Sequence, residues 1–550
     1  MILGLKERNT RKEKPLKEAS FSAHESSISN SLPLKRYDYL IGFLLRSALV
    51  GVVAGIVGVL FRLALTEGET WRQSLLAWAH SIPGWWGFLV LPGVGALAGA
   101  LAGYLTGFAP ETSGSGIPHV EAVLGRQRRM VWWRVIPVKF MAGALAIGSG
   151  LSLGREGPTV QMGAAAGQAV SKSLMRTKTE ELQLIACGAG AGLAAAFNAP
   201  LAGVIFVLEE LRRNFSPYVL VGTLVASITA DLITQGFLGP LPTFRVERVM
   251  SLSLETLPLF VVLGLLTGIL GVAFNKSLLT ALNLAERFEP YPRWARAMVI
   301  AFAVGLVGYF LPFVLGGGHI LGQNILGGKI ALSLIPLIFI VKFVLTMVSY
   351  SSGVPGGIFL PLLVLGALLG SLVGQVGSVF LPNLAAAVPF FAVTGMAAFF
   401  VAVVRSPLTG IILTLELTGT YQHMLPLLIA CLLSYLVAEA MNSLPVYDML
   451  LERDLTKDGK ERFSRGNDDN VLVLERVVES GSPACGCAVK DLALPNDCLL
   501  VAVNRGSREI IPRGNTRLLE GDQLTIIVPD GRAAEVLVAI NQKTCCQFRE

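Results

Sequence analysis

The chain has 550 residues, 53% hydrophobic and 15% charged, with a formal net charge of +7 and a mean hydropathy of +0.62. This balance excludes a soluble enzyme and describes a polytopic membrane protein. The basic clusters lack interleaved aromatic residues, so nucleic acid is not expected as a partner.

Residues 1–37 read as a basic tail with Lys6, Arg8, Arg11, Lys12, Lys14, Lys17, Lys35 and Arg36. The positive-inside rule keeps such a tail cytoplasmic, and no cleavable signal peptide is read in it. Apolar stretches follow at about 39–66, 87–108, 135–153, 157–174, 182–211, 217–238, 252–284, 295–317, 331–351, 357–380, 386–403, 405–418 and 424–441. Several fall short of the roughly 20 residues that span a bilayer, and others are long enough to span at a strong tilt. Asn198-Ala199-Pro200 and Arg405-Ser406-Pro407 interrupt apolar runs. Non-helical backbone at membrane depth survives only where it is buried in protein or lines a cavity, and such breaks are where transporters bind their cargo.

Gly154-Arg155-Glu156-Gly157-Pro158 places an ionisable carboxylate inside an apolar stretch. A charge there costs at least about 2.5–3.5 kcal/mol, so it marks a functional site. Gly157 loosens the backbone, and Pro158 suits the first turn of a new helix. The expectation is a helix N-terminus deep in the membrane with a carboxylate beside it. Helix N-termini bind anions, so Glu156 and an anion would compete for the same donors. Lys172, Arg176 and Lys178 follow this segment, which turns its C-terminal end to the cytoplasm and Glu156 outward.

The chain repeats itself. Pro200-Leu201-Ala202-Gly203 through Glu209 recurs as Pro407-Leu408-Thr409-Gly410 through Glu416, an offset of 207 (407 − 200). Val138-Lys139-Phe140 recurs as Val341-Lys342-Phe343, an offset of 203 (341 − 138). The halves cover about 38–240 and 250–450. The spacing is compatible with parallel or inverted halves, and inversion is the expectation. Glu209 repeats at Glu416, but Glu210 has Leu417 as its twin. A position that departs from its twin is a candidate for a specialised role.

Residues 451–470 are charged and polar, a linker, and 471–542 read as a small soluble α/β domain ahead of a tail at 543–550. Val471–Leu474, Leu499–Val503 and Leu524–Val528 are strand-like, and a helix is expected over Gly531–Ile540. Cys485-Gly486-Cys487 and Cys498 lack the second pair or the histidines of a zinc site, so no metal or other cofactor is expected. Neither His-Glu-x-x-His nor Gly-x-Ser-x-Gly with a membrane His appears, which argues against an intramembrane enzyme. A potassium pathway would require a Thr-Val-Gly-Tyr-Gly filter, which is absent from the sequence.

Four segments carry Gly, Pro and hydroxyl residues in a pattern fit for a permeant anion: Gly114-Ser115-Gly116-Ile117-Pro118, the Glu156 segment, Gly356-Gly357-Ile358-Phe359-Leu360-Pro361, and Tyr447. In this order, with Asn198-Ala199-Pro200 and Ser406-Pro407-Leu408-Thr409-Gly410, they resemble the CLC chloride channels and transporters over roughly residues 38–450. The resemblance implies an all-α membrane domain of broken and tilted helices with an internal two-fold repeat, assembled as a homodimer in lipid. It implies a central anion site from the hydroxyls of Ser115 and Tyr447, the Gly116 turn, and the backbone N–H groups of Ile358 and Phe359. It implies Glu156 as the external gate and Glu210 as the internal proton acceptor, the latter carried by the family's proton-coupled exchangers and usually missing from its channels. Hydroxyls and helix-end amides offer partial positive charge without a fixed cation, which lets an anion enter and leave.

The function implied is chloride/proton antiport, with chloride and protons as partners, across the plasma (inner) membrane if the source is prokaryotic, both termini being cytoplasmic. A passive chloride channel of the same fold is the alternative. Ser115 speaks against the family's fluoride branch, which typically replaces it, and against its nitrate exchangers, which tend to have Pro there. His119 stands where the family often has an acidic residue. Residues 471–542 resemble TrkA-C modules through Leu492–Pro495, Leu500–Gly506, Ile511–Thr516 and Gly521-Asp522. That implies a cytoplasmic regulatory domain with an unidentified small-molecule ligand.

Overall fold

The structure, a computed structural model, describes residues 22–82, 86–213, 216–240, 243–244, 254–419, 424–457, 471–478, 482–492, 494, 498–505, 508–529, 536 and 540, with backbone only at 22–39, 382–383, 471–473, 475 and 508–509. It divides into two units, Met1–Leu451 and Glu452–Glu550.

The first unit is helical. Its first half holds α1 (Ser22–Ser81), α2 (Gly87–Thr106), α3 (Ile117–Leu124), α4 (Trp132–Gly148), α5 (Glu156–Ser173), α6 (Lys178–Phe197), α7 (Pro200–Phe206) and α8 (Pro217–Leu238). The second half answers element for element: α9 (Leu257–Glu286), α10 (Arg293–Phe310), α11 (His319–Leu326), α12 (Ile335–Ser351), α13 (Phe359–Phe380), α14 (Val388–Val404), α15 (Pro407–Thr418) and α16 (Met424–Ala440). A last helix, α17, starts at Val446 and runs to Lys457. Eight of the described helices are long and apolar enough to cross a membrane. Others, such as α3 and α11 with eight residues each, are far too short. Helix α1 begins inside the stretch expected to be tail, and residues 1–21 lie outside the described residues.

The repeat extends to backbone conformation. Asn198 (φ 56°) and Arg405 (φ 71°) both end their helices in the left-handed region, and Pro200 and Pro407 open the next ones. Proline's missing N–H is no loss in a first turn. The fully buried Lys139 and Lys342 are twins (342 − 139 = 203). Lys139 Nζ donates to the carbonyls of Thr112 (2.9 Å) and Gly114 (2.8 Å), and Lys342 Nζ to those of Val314 (2.9 Å) and Gly316 (2.6 Å). A buried ammonium needs such acceptors to offset its desolvation. A half-turn relates the halves. Gly154 N donates to Gly357 O (2.6 Å) and Gly357 N to Gly154 O (2.7 Å), an antiparallel bridge between twins. Like bonds exchanged between antiparallel twins require a half-turn about an axis across the chain, a symmetry that the expected inverted repeat has.

Small residues bring the inner helices together. A Cβ on Gly163 of α5 would lie 3.0 Å from Gly192 of α6, and one on Gly395 of α14 would lie 2.8 Å from Gly370 N of α13. Close backbone approach of this kind drives helix association where lipid supplies no hydrophobic contrast. The α14 region is 94% buried over its most apolar stretch, against 39% for α1 and α2, so α14 sits in the middle of the protein and α1 and α2 at its margin.

The second unit carries the expected strands and one more: β1 (Val471–Val477), β2 (Leu499–Arg505), β3 (Arg508–Ile510) and β4 (Gln523–Pro529), in the order β1-β4-β2-β3. All pairs are antiparallel, with an irregularity between Leu500 and Ala502. Val503, Leu518, Leu524, Ile526 and Val528 form its core. Arg505 donates to both oxygens of Asp522 at 2.7 Å. The helix expected over 531–540 falls mostly outside the described residues, as do the linker from 458 to 470 and the tail.

Candidate anion and proton site

Three loops converge where the sequence put its glycines. Gly114 (φ 62°) and Gly116 (φ 86°) take left-handed turns that β-carbons resist. A Cβ on Gly116 would also meet Gln161 Cδ at 2.6 Å. Gly114 N donates to Val354 O (3.2 Å), Gly356 N to Gly114 O (2.9 Å), and Ser113 Oγ to Gly353 O (2.8 Å). With the Gly154–Gly357 bridge, these bonds lace the segments before α3, α5 and α13 into one knot. Gly157 lies against Ser115, where a Cβ would sit 2.7 Å from the Ser115 carbonyl oxygen, and Gly357 lies against Gly157 N. The N-termini of three helices are thereby gathered at one place. The first turns of helices carry unsatisfied N–H groups and partial positive charge.

Into this place the chain brings its candidate ligands. Ser115 is buried, and its N–H faces the Tyr350 hydroxyl at 3.4 Å. Ile358 is the N-cap of α13 and Phe359 its first residue, both fully buried. Phe359 is the twin of Glu156 (359 − 156 = 203) and packs on Phe197, Phe206 and Phe400 with centroids 5.8, 6.2 and 4.5 Å away. One half thus offers a carboxylate where the other offers an aromatic wall. Tyr447 is fully buried in the first turn of α17 and interacts electrostatically with Glu210, Tyr350 and Glu156. The Ser115 and Tyr447 hydroxyls have no hydrogen-bond partner among the described residues. A buried polar group left so costs about 1–3 kcal/mol, and an anion is the species two hydroxyl donors beside helix N-termini can hold.

Glu156 is fully buried as the first residue of α5. Its Oε2 lies 3.4 Å from Leu360 N in the first turn of α13, and its Oε1 3.9 Å from Arg155 Nε. The carboxylate is therefore directed at a helix-end amide. Leu360, which was not among the residues read from sequence, is the partner.

Glu210 lies in the turn that follows α7. Val207–Leu211 form a π turn, closed by Arg212 N to Val207 O at 2.8 Å, whereas α15 runs as a regular α-helix to Thr418. The irregular turn falls where Glu210 departs from its twin Leu417. Glu210 is buried; its Oε2 accepts a hydrogen bond from Ser406 Oγ, and its Oε1 lies 3.7 Å from Arg213. Arg213 in turn pairs with Asp448 at 2.9 Å, the residue after Tyr447. Ser406, Arg213, Asp448, Tyr350 and Leu360 are additions to the residues read from sequence. Ser406 was visible as part of a break motif. Tyr350, Leu360 and Asp448 carry no local signal, because their partners Ser115, Glu156 and Arg213 lie more than 200 residues away along the chain; Arg213 has Glu210 three residues before it, but its pairing with Asp448 leaves no mark in the sequence. His119 is buried, with Nδ1 3.1 Å from Gln161 Nε2.

A family profile described as voltage gated chloride channel matches residues 98–439, and the TrkA-C domain profile matches residues 473–540. The H(+)/Cl(-) exchange transporter ClcA of Vibrio parahaemolyticus is 39% identical over 427 residues, covering 76% of this chain and 90% of that one. A slow cyanobacterial Cl-/H+ antiporter superposes with a TM-score of 0.73 at 34% identity, over 76% of this chain and 99% of that one. A CLC-type fluoride/proton antiporter superposes with a TM-score of 0.63 at 25% identity, over 75% and 98%. Knotted helix N-termini, a two-fold repeat and these likenesses agree: the chain is a multi-pass membrane protein of the voltage-gated chloride channel (CLC) family, with a TrkA-C domain at its C-terminal end.

Proposed function

We propose that this protein is a chloride/proton antiporter. The observation that carries the reading is the place of Glu156, whose carboxylate faces the Leu360 amide at the N-terminus of α13 among helix ends that also carry Ser115. It takes the position an anion would take. Deprotonated, it closes the outer route by satisfying those donors; protonated, it loses its charge and yields them. An anion arriving nearby adds like-charge repulsion and favours protonation. Anion movement and proton movement are thereby linked.

Glu156 serves as external gate in this reading, and Ser115, Gly116, Ile358, Phe359 and Tyr447 form the central anion site. Glu210 is the internal proton acceptor. Its burial and its bond to Ser406 support a route for protons that is separate from the anion's. Relatives named as H+/Cl− exchangers support chloride as the anion, and the serine at 115 favours chloride over fluoride. The protein works as a homodimer in the inner membrane of a bacterium with both termini cytoplasmic, and its TrkA-C domain takes a small regulatory ligand. The basic N-terminal segment and the bacterial relatives support that placement.

The test is simultaneous chloride and pH recording from purified protein in liposomes. An imposed chloride gradient is expected to drive protons uphill. Chloride flux with no proton movement at any pH would make the protein a passive channel.

A further inference from the structure

Arg213 stands between two acids. Its guanidinium is 2.9 Å from Asp448 Oδ2 and 3.7 Å from Glu210 Oε1. Glu210 and Asp448 side chains are 3% and 11% exposed and Arg213 is 30% exposed, so the cation reaches from the protein's edge into its interior. Its backbone is left-handed (φ 48°), a conformation that costs a non-glycine residue about 1–2 kcal/mol. That turn follows directly on the π turn that carries Glu210. Asp448 adjoins Tyr447 in the first turn of α17. One cation thus joins the proposed proton acceptor to the segment bearing a proposed anion ligand. The second half has Leu417 in place of Glu210, and no such carboxylate to join.

We propose that Arg213 and Asp448 form a positioning pair that couples the inner proton site to the anion site. With Glu210 charged, Arg213 is shared between two carboxylates. With Glu210 protonated, Arg213 is drawn wholly to Asp448, and the load on the helix start that holds Tyr447 changes. The groups facing Glu210 are Ser406, Glu121 of α3, Asp448 and Tyr447 of α17, and Arg213. Arg213 alone of these carries positive charge, so it sets the balance. This inference rests on Glu210 being the proton acceptor. An ordinary ion pair near the surface would fasten α17 and contribute about 0–1 kcal/mol, with no effect on the pH dependence of transport.

The full-length protein in liposomes, read for chloride efflux and chloride-driven proton uptake across a series of internal pH values, tests it. Arg213→Gln removes the cation beside Glu210 and is expected to move the half-maximal pH of proton uptake alkaline by about one unit, the scale of one unit charge at this range. Asp448→Asn releases Arg213 toward Glu210 and is expected to move it acid by a similar amount. The double variant is expected near the wild-type midpoint, as is Arg213→Lys, and these two keep the test open if a single variant fails to fold. Midpoints that stay put, or that shift in the same direction in both single variants, overturn the proposal. Glu210→Gln is the control. If it retains proton uptake, the reading of Glu210 itself falls; if it loses uptake while the pair's variants behave as wild type, only the pair's role falls.

Discussion

Glu209 and Glu416 cap each other's repeats. Glu209, beyond α7, accepts from the backbone of Leu408 (3.0 Å) and Thr409 (2.7 Å) at the start of α15, and from Thr409 Oγ1 (2.7 Å). Glu416, near the end of α15, accepts from Leu201 N (3.0 Å) and Ala202 N (2.8 Å) at the start of α7. Two helices too short to span the membrane thus each end on a carboxylate and begin on the other's. The first N–H groups of a helix lack partners within it, and a carboxylate there also meets the positive end of the dipole. This exchange holds the two breaks of the chain against one another.

Glu416→Gln should therefore weaken the contact between the halves. A glutamine keeps one acceptor oxygen and loses the charge, a change worth about 1–3 kcal/mol for charge-assisted bonds to amides. The expected result is a thermal midpoint in detergent lowered by a few degrees, with the proton-to-chloride ratio in liposomes unchanged. A changed ratio at an unchanged midpoint would place Glu416 in the proton route rather than in the scaffold.

The two carboxylates of the transport reading should fail in different ways. Glu156→Ala removes the proposed outer gate and leaves the hydroxyls and helix ends in place, so chloride flux should persist while proton pumping is lost. Glu210→Gln should keep chloride transport, because Glu210 binds Ser406 and Arg213 and not the α13 N-terminus, and should lose proton coupling by at least tenfold. Flux recordings on both sides of the membrane separate these outcomes. A chloride-driven proton gradient that survives in Glu156→Ala would remove that residue from the gate.

Much of this site could be read along the chain because its chemistry is local. A proline two residues after a glutamate, within an apolar run, marks a helix start wherever the helix ends up. The repeat offsets between Pro200 and Pro407, and between Lys139 and Lys342, foretold twin elements. The Gly154–Gly357 bridge adds that a half-turn relates the twins, which the offsets alone do not tell. What stayed hidden depends on register across the fold. Leu360 meets Glu156 only because the Gly357 bridge sets the height of α13 against α5. The π turn at Val207–Leu211 leaves no mark in a sequence whose composition suits an ordinary helix. Nothing local to Arg213 tells that it pairs with Asp448, 235 residues further on.

The proposed anion site can be weighed group by group. Ser115→Ala and Tyr447→Phe each delete one buried hydroxyl that has no protein partner among the described residues. Hydrogen bonds to a charged acceptor contribute about 1.5–3 kcal/mol. Each variant should weaken chloride binding by roughly tenfold or more in calorimetric titration. Melting in chloride-free buffer should stay close to wild type, since no protein hydrogen bond is lost. Equal chloride affinity in both variants and the wild type would move the anion away from these hydroxyls.

The soluble domain offers a prediction with a definite sign. Burial pushes the Asp522 carboxyl up, but the two hydrogen bonds from Arg505 and one from Leu519 N outweigh it and hold it below its usual value. The folded domain then binds its proton less readily than the unfolded chain does. The stability it contributes is complete above the unfolded carboxyl's value of about 3.9 and is lost as the pH falls through the lower folded value. Asp522→Asn should accordingly reduce hydrogen-exchange protection of β2 and β4 in the intact protein at neutral pH. The gap from wild type should start to narrow below about pH 4 and close as the pH falls through the lower value of the folded carboxyl. A gap of constant size down to the most acid condition would mean that shape, and not the charge of Asp522, makes the contribution.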